Sequence, residues 1–467
     1  MRTGISSRME KSALVKLIRS FSAVELRDVR KFLLSPFFNQ RQDLVDLFEY
    51  LVSNQEPQKE SVSRHLSVPP DEQKLRLLMS YLHTLLERYV AIKEMTADKL
   101  SVQLHLATAY RKRRMNDSAE RACKNLEKNL ESQHLRNTSY HEYRYKQNWE
   151  THQLNYVQNP TDISPLHDLS TAADVIYLAQ KLRLICLLAA HQTVYQANQA
   201  VEWEEDIIAR AESPEFADLP GLSIYLNCYR MLRYPAEEQH FQLFKSMLLE
   251  QSVCFSAEEL HGFYILAINY CIRGLNAGNN RFFREAFDLY RAGLEEKHLL
   301  EDGMVSRFTY HNVVAIGLWL GELEWVRYFI GEYKNRLEKR YRESSFSYNL
   351  ARLEYESGHH GYVLELLQKA NYRDPLLNLA AKTLLLKTYI DLHEFDLLQS
   401  HLDAMRNYIH RKRVIGYHRT NYLNIIRFTE KTMRLAAGDK KEMAALREAV
   451  QQEKVLSEKA FFLKILE

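Results

Sequence analysis

SYNLARLEYESGHHGYVLELLQKANYRDP, residues 347–375, decides how the rest of the chain is read. Two proline-free stretches flank a tight polar turn at Ser357-Gly358-His359-His360, and Asp374-Pro375 closes the unit. A glycine between two such stretches marks a helix end. The segment is therefore expected to be a helix–turn–helix pair. The same punctuation recurs at Gly278, Gly321, His393-Glu394 and Gly438. With Gly358 these turns stand 43, 37, 35 and 45 residues apart. Recurrence at roughly 34–47 residues is the mark of helix-pair repeats.

Composition points the same way. The 467 residues include 14 glycines and 10 prolines, under half of the usual ~12% for the two together. After Gly4 the next glycine is Gly221, and after Pro235 the only proline is Pro375. A chain so poor in turn-formers is neither an all-β protein with many hairpins nor a Pro/Gly-rich disordered one. The expected class is all-α.

The first helix is expected to open at Ser22, with Glu25 three residues on in a capping-box spacing, and to run to Leu34. A second follows at about 41–53, and a long one from Asp71. In the long helix Leu75, Leu78, Leu82, Leu85, Tyr89 and Ile92 recur at steps of three and four, one apolar stripe that must bury. Residues 1–97 thus read as an N-terminal helical module and 98–467 as an array of helix pairs. Pro-containing stretches at Asn159–Thr171 and Glu212–Gly221 interrupt that array.

On these residues the array resembles the tetratricopeptide (TPR) repeat. Leu350-Ala351 match the Leu-Gly pair of the family's first helix, Tyr355 lies beside its aromatic slot, and Gly358 takes the turn. Leu367 and Ala370 fall on packing positions of the second helix, and Asp374-Pro375 close the repeat. Ser347 stands where Trp is expected, and Val363 where a small residue is. A second copy at 104–128 carries Leu106-Ala107, Tyr110, Ala119 and Cys123 at the family spacing, without the closing proline. The resemblance implies a TPR-like α-solenoid of antiparallel helix pairs, a fold that binds proteins or peptides along a groove. The opening, FSAVELRDVRKFLLSPFFNQRQDLVDLFEYL (residues 21–51), resembles an uncharacterised group of bacterial helical proteins, which implies no function.

Motifs for chemistry are missing. Phosphate cradles need glycines that bring backbone N–H groups close to the phosphate; no GxG, GxxxxGK[ST] or GxSxG occurs. No two of the 18 histidines stand three or four residues apart, and HExxH is absent. Glu-x-x-His spacings such as Glu131–His134, Glu237–His240, Glu258–His261 and Glu295–His298 have polar neighbours and read as surface positions. No metal, cofactor or catalytic residue is expected. No secretory leader is read at the N-terminus, and the longest uncharged run found, Leu184–Val201, holds a His, three Gln and an Asn. It reads as a buried helix and not as a membrane span. Five cysteines, odd in number and without CxxC, read as free thiols in the cytoplasm.

Charge is the most informative feature. Lys+Arg 63 against Asp+Glu 60 leaves a net +3, too balanced to imply nucleic acid. Locally the balance breaks. Ala404–Gly438 carries eight basic residues, Arg411, Lys412 and Arg413 among them, and one acid, Glu430. Helical spacing puts Tyr422, Ile425, Ile426, Thr429, Met433 and Ala436 on one face, and Asn424, Arg427, Lys431 and Arg434 on the other. In TPR-like arrays the first helix of a pair tends to line the groove, so this stripe is a candidate site for acidic side chains. The plainer reading is a solvated outer face. Val201–Asp218, with seven acids, one arginine and Trp203, is its acidic counterpart.

The expected function is a non-enzymatic, cytoplasmic scaffold or adaptor for a protein or peptide partner. Two alternatives stay open. One is a regulator whose basic N-terminal module contacts nucleic acid while the repeats sense a ligand; the first helices lack a clear helix-turn-helix turn. The other is an enzyme with a cavity inside the helical array.

Overall fold

The computed structural model describes residues 12–55, 57, 61–62, 72–156, 161, 163–195, 201–369, 372–411, 416, 418–435 and 440–466. Among them stand 22 α-helices and one minimal hairpin, so the chain is all-α. The helices are α1 (Ala13–Ser20), α2 (Ala23–Leu34), α3 (Gln42–Ser53), α4 (Glu72–Ala97), α5 (Lys99–Lys112), α6 (Asn116–Ser132), α7 (Thr138–Tyr156), α8 (Ser164–Tyr195), α9 (Glu204–Ala211), α10 (Pro220–Arg233) and α11 (Glu238–Glu250). They continue with α12 (Ala257–Asn276), α13 (Phe282–Glu295), α14 (Arg307–Trp319), α15 (Leu323–Tyr333), α16 (Arg342–Glu356), α17 (His360–Lys369), α18 (Pro375–Asp391), α19 (Phe395–Arg411), α20 (His418–Arg434), α21 (Lys440–Gln452) and α22 (Lys459–Ile465). The chain divides into two compact units, Met1–Tyr177 and Leu178–Glu467.

In the first unit, α1 to α4 enclose one apolar core. Leu14, Val15, Val29, Leu33, Leu47, Phe48, Leu82 and Tyr89 are all buried in it, and Leu78, Leu85 and Ile92 pack against its edge. The capping box is present in full. Ser22 accepts from the Glu25 amide, and Glu25 accepts from the Ser22 amide. One helix more than expected precedes it. Ser12 caps α1, whose Leu14, Val15 and Ile18 are buried. Further along, Ala107, Ala119, Ala122 and Cys123 form a small-residue seam where α5 and α6 pack.

In the second unit, consecutive helices pack as α12 on α13, α14 on α15, α16 on α17 and α18 on α19. Each second helix also touches the next first helix, and α14, α16 and α18 contact one another in turn. The turns inside these pairs repeat one geometry. Gly278, Gly321, Gly358 and His393 have φ of +88°, +75°, +79° and +58°. At each, two N–H groups fold back on the preceding helix. Gly358 donates to the Tyr355 carbonyl (3.0 Å) and His359 to that of Glu354 (2.9 Å). The pairs Gly321–Leu318 with Glu322–Gly317, and His393–Ile390 with Glu394–Tyr389, are built alike. This Schellman closure satisfies the end carbonyls and needs a left-handed residue, which is why glycine recurs there. Gly438 lies outside the described residues.

Three expectations are corrected. In the run Leu184–Val201, of which 196–200 lie outside the described residues, Leu184 and Leu187 are more than half exposed, because helical spacing turns them away from the buried face of Leu182, Ile185 and Cys186. Most of the first proline stretch is helix, since Pro165 falls in the first turn of α8, where its missing N–H costs nothing. The hairpin β1 (Leu300–Glu301) and β2 (Met304–Val305) is unforeseen. Its turn, Asp302-Gly303, has both residues at positive φ, as a two-residue hairpin loop requires.

Candidate functional site

The basic stripe on α20 is only partly a free surface. Asn424, expected beside the arginines, is buried, because its side-chain amide donates to the Val455 carbonyl at 2.9 Å. Arg427 pairs with Glu453 at 2.6 Å and lies over the Phe428 ring. Lys431 and Arg434 are exposed on the same helix. Arg411 is exposed at the end of α19 and donates to the Asn407 carbonyl. Lys412 and Arg413 lie outside the described residues. The acidic stretch pairs locally, Glu212 with Arg230 (2.6 Å) and Glu215 with Arg210 (3.3 Å).

What Arg427 and Asn424 hold is the non-helical connection 453–458, between α21 and α22. Asn421, one turn earlier on α20, accepts from the Ser457 amide (2.7 Å) and donates to the Ser457 hydroxyl (3.1 Å). Lys387 of α18 pairs with Glu458 at 3.2 Å. The connection is thus strapped to two helices by charges at its ends and by amide side chains on its backbone. A hydrogen bond from the Val455 amide, with Arg427 adding to it, lowers the pKa of Glu453.

The strap forms one wall of a pocket of about 240 Å³. Tyr348, Arg352, Tyr355 and Glu356 of α16, Ala380, Thr383, Leu384 and Lys387 of α18, Tyr422 of α20, and Ser457 and Glu458 line it. The helical period makes this possible. Residues 348, 352, 355 and 356 share one face of α16, and 380, 383, 384 and 387 one face of α18. Flanking positions on the two helices, Ala351, Leu353, Ala381 and Leu386, are buried in the core.

The pocket is polar and carries two cations of different standing. Lys387 is occupied: besides Glu458, its ammonium sits 5.0 Å from the ring centroids of both Tyr355 and Phe461. Arg352 lies 5.7 Å from the Tyr348 ring centroid and has no carboxylate partner among the described residues. The tyrosines stay protonated at neutral pH. Burial raises Tyr348, and raises Tyr422 to about 12. Tyr355 is raised by burial and by its hydrogen bond to Asp391 (2.5 Å). The pocket therefore offers a guanidinium, the neutral hydroxyls of Tyr348 and Tyr422 and ring faces, with the Glu356 carboxylate at its edge; the guanidinium is the group suited to a carboxylate. Sequence reading missed it, because no charge run marks Arg352 or Lys387.

One further grouping has the composition of a nucleophilic triad. His311 stands 2.8 Å from Asn349 and 3.4 Å from Ser345. Asn349 can only donate through Nδ2, so Nδ1 of His311 accepts and Nε2 carries the proton. That tautomer cannot take a proton from Ser345, and Ser345 is fully buried. Burial lowers the pKa of His311 to about 4.

No group of three or more His, Cys, Asp or Glu side chains among the described residues is placed to hold a metal ion. No helix among them is long and apolar enough to cross a membrane. No family model matches the chain, and no curated protein or solved structure matches it.

Proposed function

We propose that this chain is a TPR-like α-solenoid with an N-terminal helical module, and that it acts as a non-catalytic scaffold. Its partner is a protein that presents an acidic peptide segment to the groove along α16, α18 and α20. The observation that carries this reading is Arg352. It is a guanidinium with no carboxylate partner among the described residues, set among tyrosines in a pocket to which three successive first helices contribute. Charge-assisted hydrogen bonds from arginine to carboxylate are the strong kind, about 1.5–3 kcal/mol each. Stacked helix pairs generate extended concave surface, which supports a binding role over a catalytic one. The five cysteines are free, four of them buried, which suits a reducing cytoplasm.

The test is binding of the full chain to an array of acidic peptides and their Gln/Asn counterparts, at two salt concentrations. The reading expects selective capture of acidic peptides, weakening as salt rises. Equal capture of both sets, or of neither, would contradict it.

A further inference from the structure

The proposed groove already holds an acidic peptide, and it belongs to the chain itself. Residues 453–458, Glu-Lys-Val-Leu-Ser-Glu, carry a carboxylate at each end, one on Arg427 (2.6 Å) and one on Lys387 (3.2 Å). Between them the backbone is read by amide side chains: Asn424 takes the Val455 carbonyl, and Asn421 the Ser457 amide. Lys454 and Val455 face solvent, Leu456 turns inward, and the Ser457 hydroxyl accepts from Asn421. Recognition through end charges and backbone is indifferent to the outward side chains, so a foreign segment of the same pattern would satisfy it equally well.

We infer that this strap is a resident mimic of the partner. The groove would then select an extended segment with two carboxylates five residues apart, which binds by displacing 453–458. The inference rests on the acidic-peptide reading above and specifies its ligand. The exchange is local. Strap residues 453–458 hang between α21 and α22, and α22 stays anchored through Phe462, which is fully buried. An incoming segment that continues past the position of Glu458 enters the pocket, where Arg352 awaits a further carboxylate.

The experiment uses the full chain and a fluorescein-labelled copy of its own residues 451–459, QQEKVLSEK. Binding is followed by anisotropy for the wild type and for the double variant Glu453→Gln/Glu458→Gln. The variant loosens the strap and leaves Arg427 and Lys387 in place. The expected result is about tenfold tighter binding to the variant, from two partly exposed ion pairs removed from the competitor. A probe with both of its glutamates changed to Gln should lose that binding. Equal affinity for both proteins would overturn the strap's role and leave the groove reading standing; no binding to either would overturn both. Hydrogen exchange of wild-type 453–458 gives an independent readout. Saturating probe should speed exchange there, and unchanged or slower exchange would count against displacement.

Discussion

Asn424 on α20 and Val455 in the strap are joined by a 2.9 Å hydrogen bond from a buried side-chain amide to a backbone carbonyl. One turn away, Arg427 and Glu453 make a 2.6 Å ion pair whose arginine is half exposed. The two contacts fasten the same segment, and their burial ranks them. Losing the buried amide leaves a carbonyl without its partner, at about 1–3 kcal/mol, whereas a surface ion pair contributes about 0–1 kcal/mol. Asn424→Ala should therefore lower stability more than Arg427→Ala in urea unfolding. Equal losses would mean that the strap is held by charge alone.

His311 makes the second unit acid-sensitive. Burial, with Arg352 and Arg307 adding repulsion, holds its pKa near 4 in the folded chain, against about 6.5 when unfolded. Between those values the unfolded chain binds more protons, so stability falls as pH drops from 6.5 towards 4 and is fully present above. By linkage this site alone removes about 2 kcal/mol at pH 5. Urea midpoints at pH 7 and 5 should differ more for the wild type than for His311→Gln. Identical pH responses would show that His311 titrates normally.

Two helical glycines that look alike in the sequence should respond oppositely to alanine. A Cβ at Gly317 would meet Val326 Cγ2 at 2.4 Å, where α14 and α15 approach closely, whereas one at Gly331 meets nothing within 4 Å. Gly317→Ala should cost about 1–3 kcal/mol through overpacking. Gly331→Ala should stabilise by about 0.4–1 kcal/mol, because the unfolded chain loses freedom. Thermal melts of both variants check the contrast.

The repeated turn can be tested where the chain lacks its preferred residue. His393 occupies the left-handed position that Gly278, Gly321 and Gly358 fill elsewhere. Replacing it with glycine should raise stability by about 1 kcal/mol, and Gly358→Ala should lower it by a similar amount. A neutral His393→Gly would mean that side-chain contacts offset the strain.

These examples also mark what could be read from the residues alone. Turns at Gly278, Gly321 and Gly358 were legible because a left-handed backbone leaves a local signature, as did the Ser22–Glu25 capping box. The Asp302-Gly303 hairpin carried a similar signature, but two-residue strands have no alternation to flank it. The pocket left none. Its Arg352, Lys387, Tyr422 and Glu458 stand 35, 35 and 36 residues apart, and each is unremarkable beside its neighbours. The stripe on α20 was visible as charge. That Asn424 is buried and Arg427 engaged depends on a segment some thirty residues on, whose course no periodicity predicts.

Arg352, and not the exposed end of the α20 stripe, is the group proposed to receive the partner's carboxylate. The direct measurement is calorimetric titration of the best acidic array peptide into wild type, Arg352→Ala and Arg434→Ala. Arg352→Ala should lose at least about tenfold in affinity, equivalent to about 1.4 kcal/mol, and Arg434→Ala, whose side chain is exposed, less than about twofold. Unchanged binding by Arg352→Ala, with loss in Arg434→Ala, would contradict it.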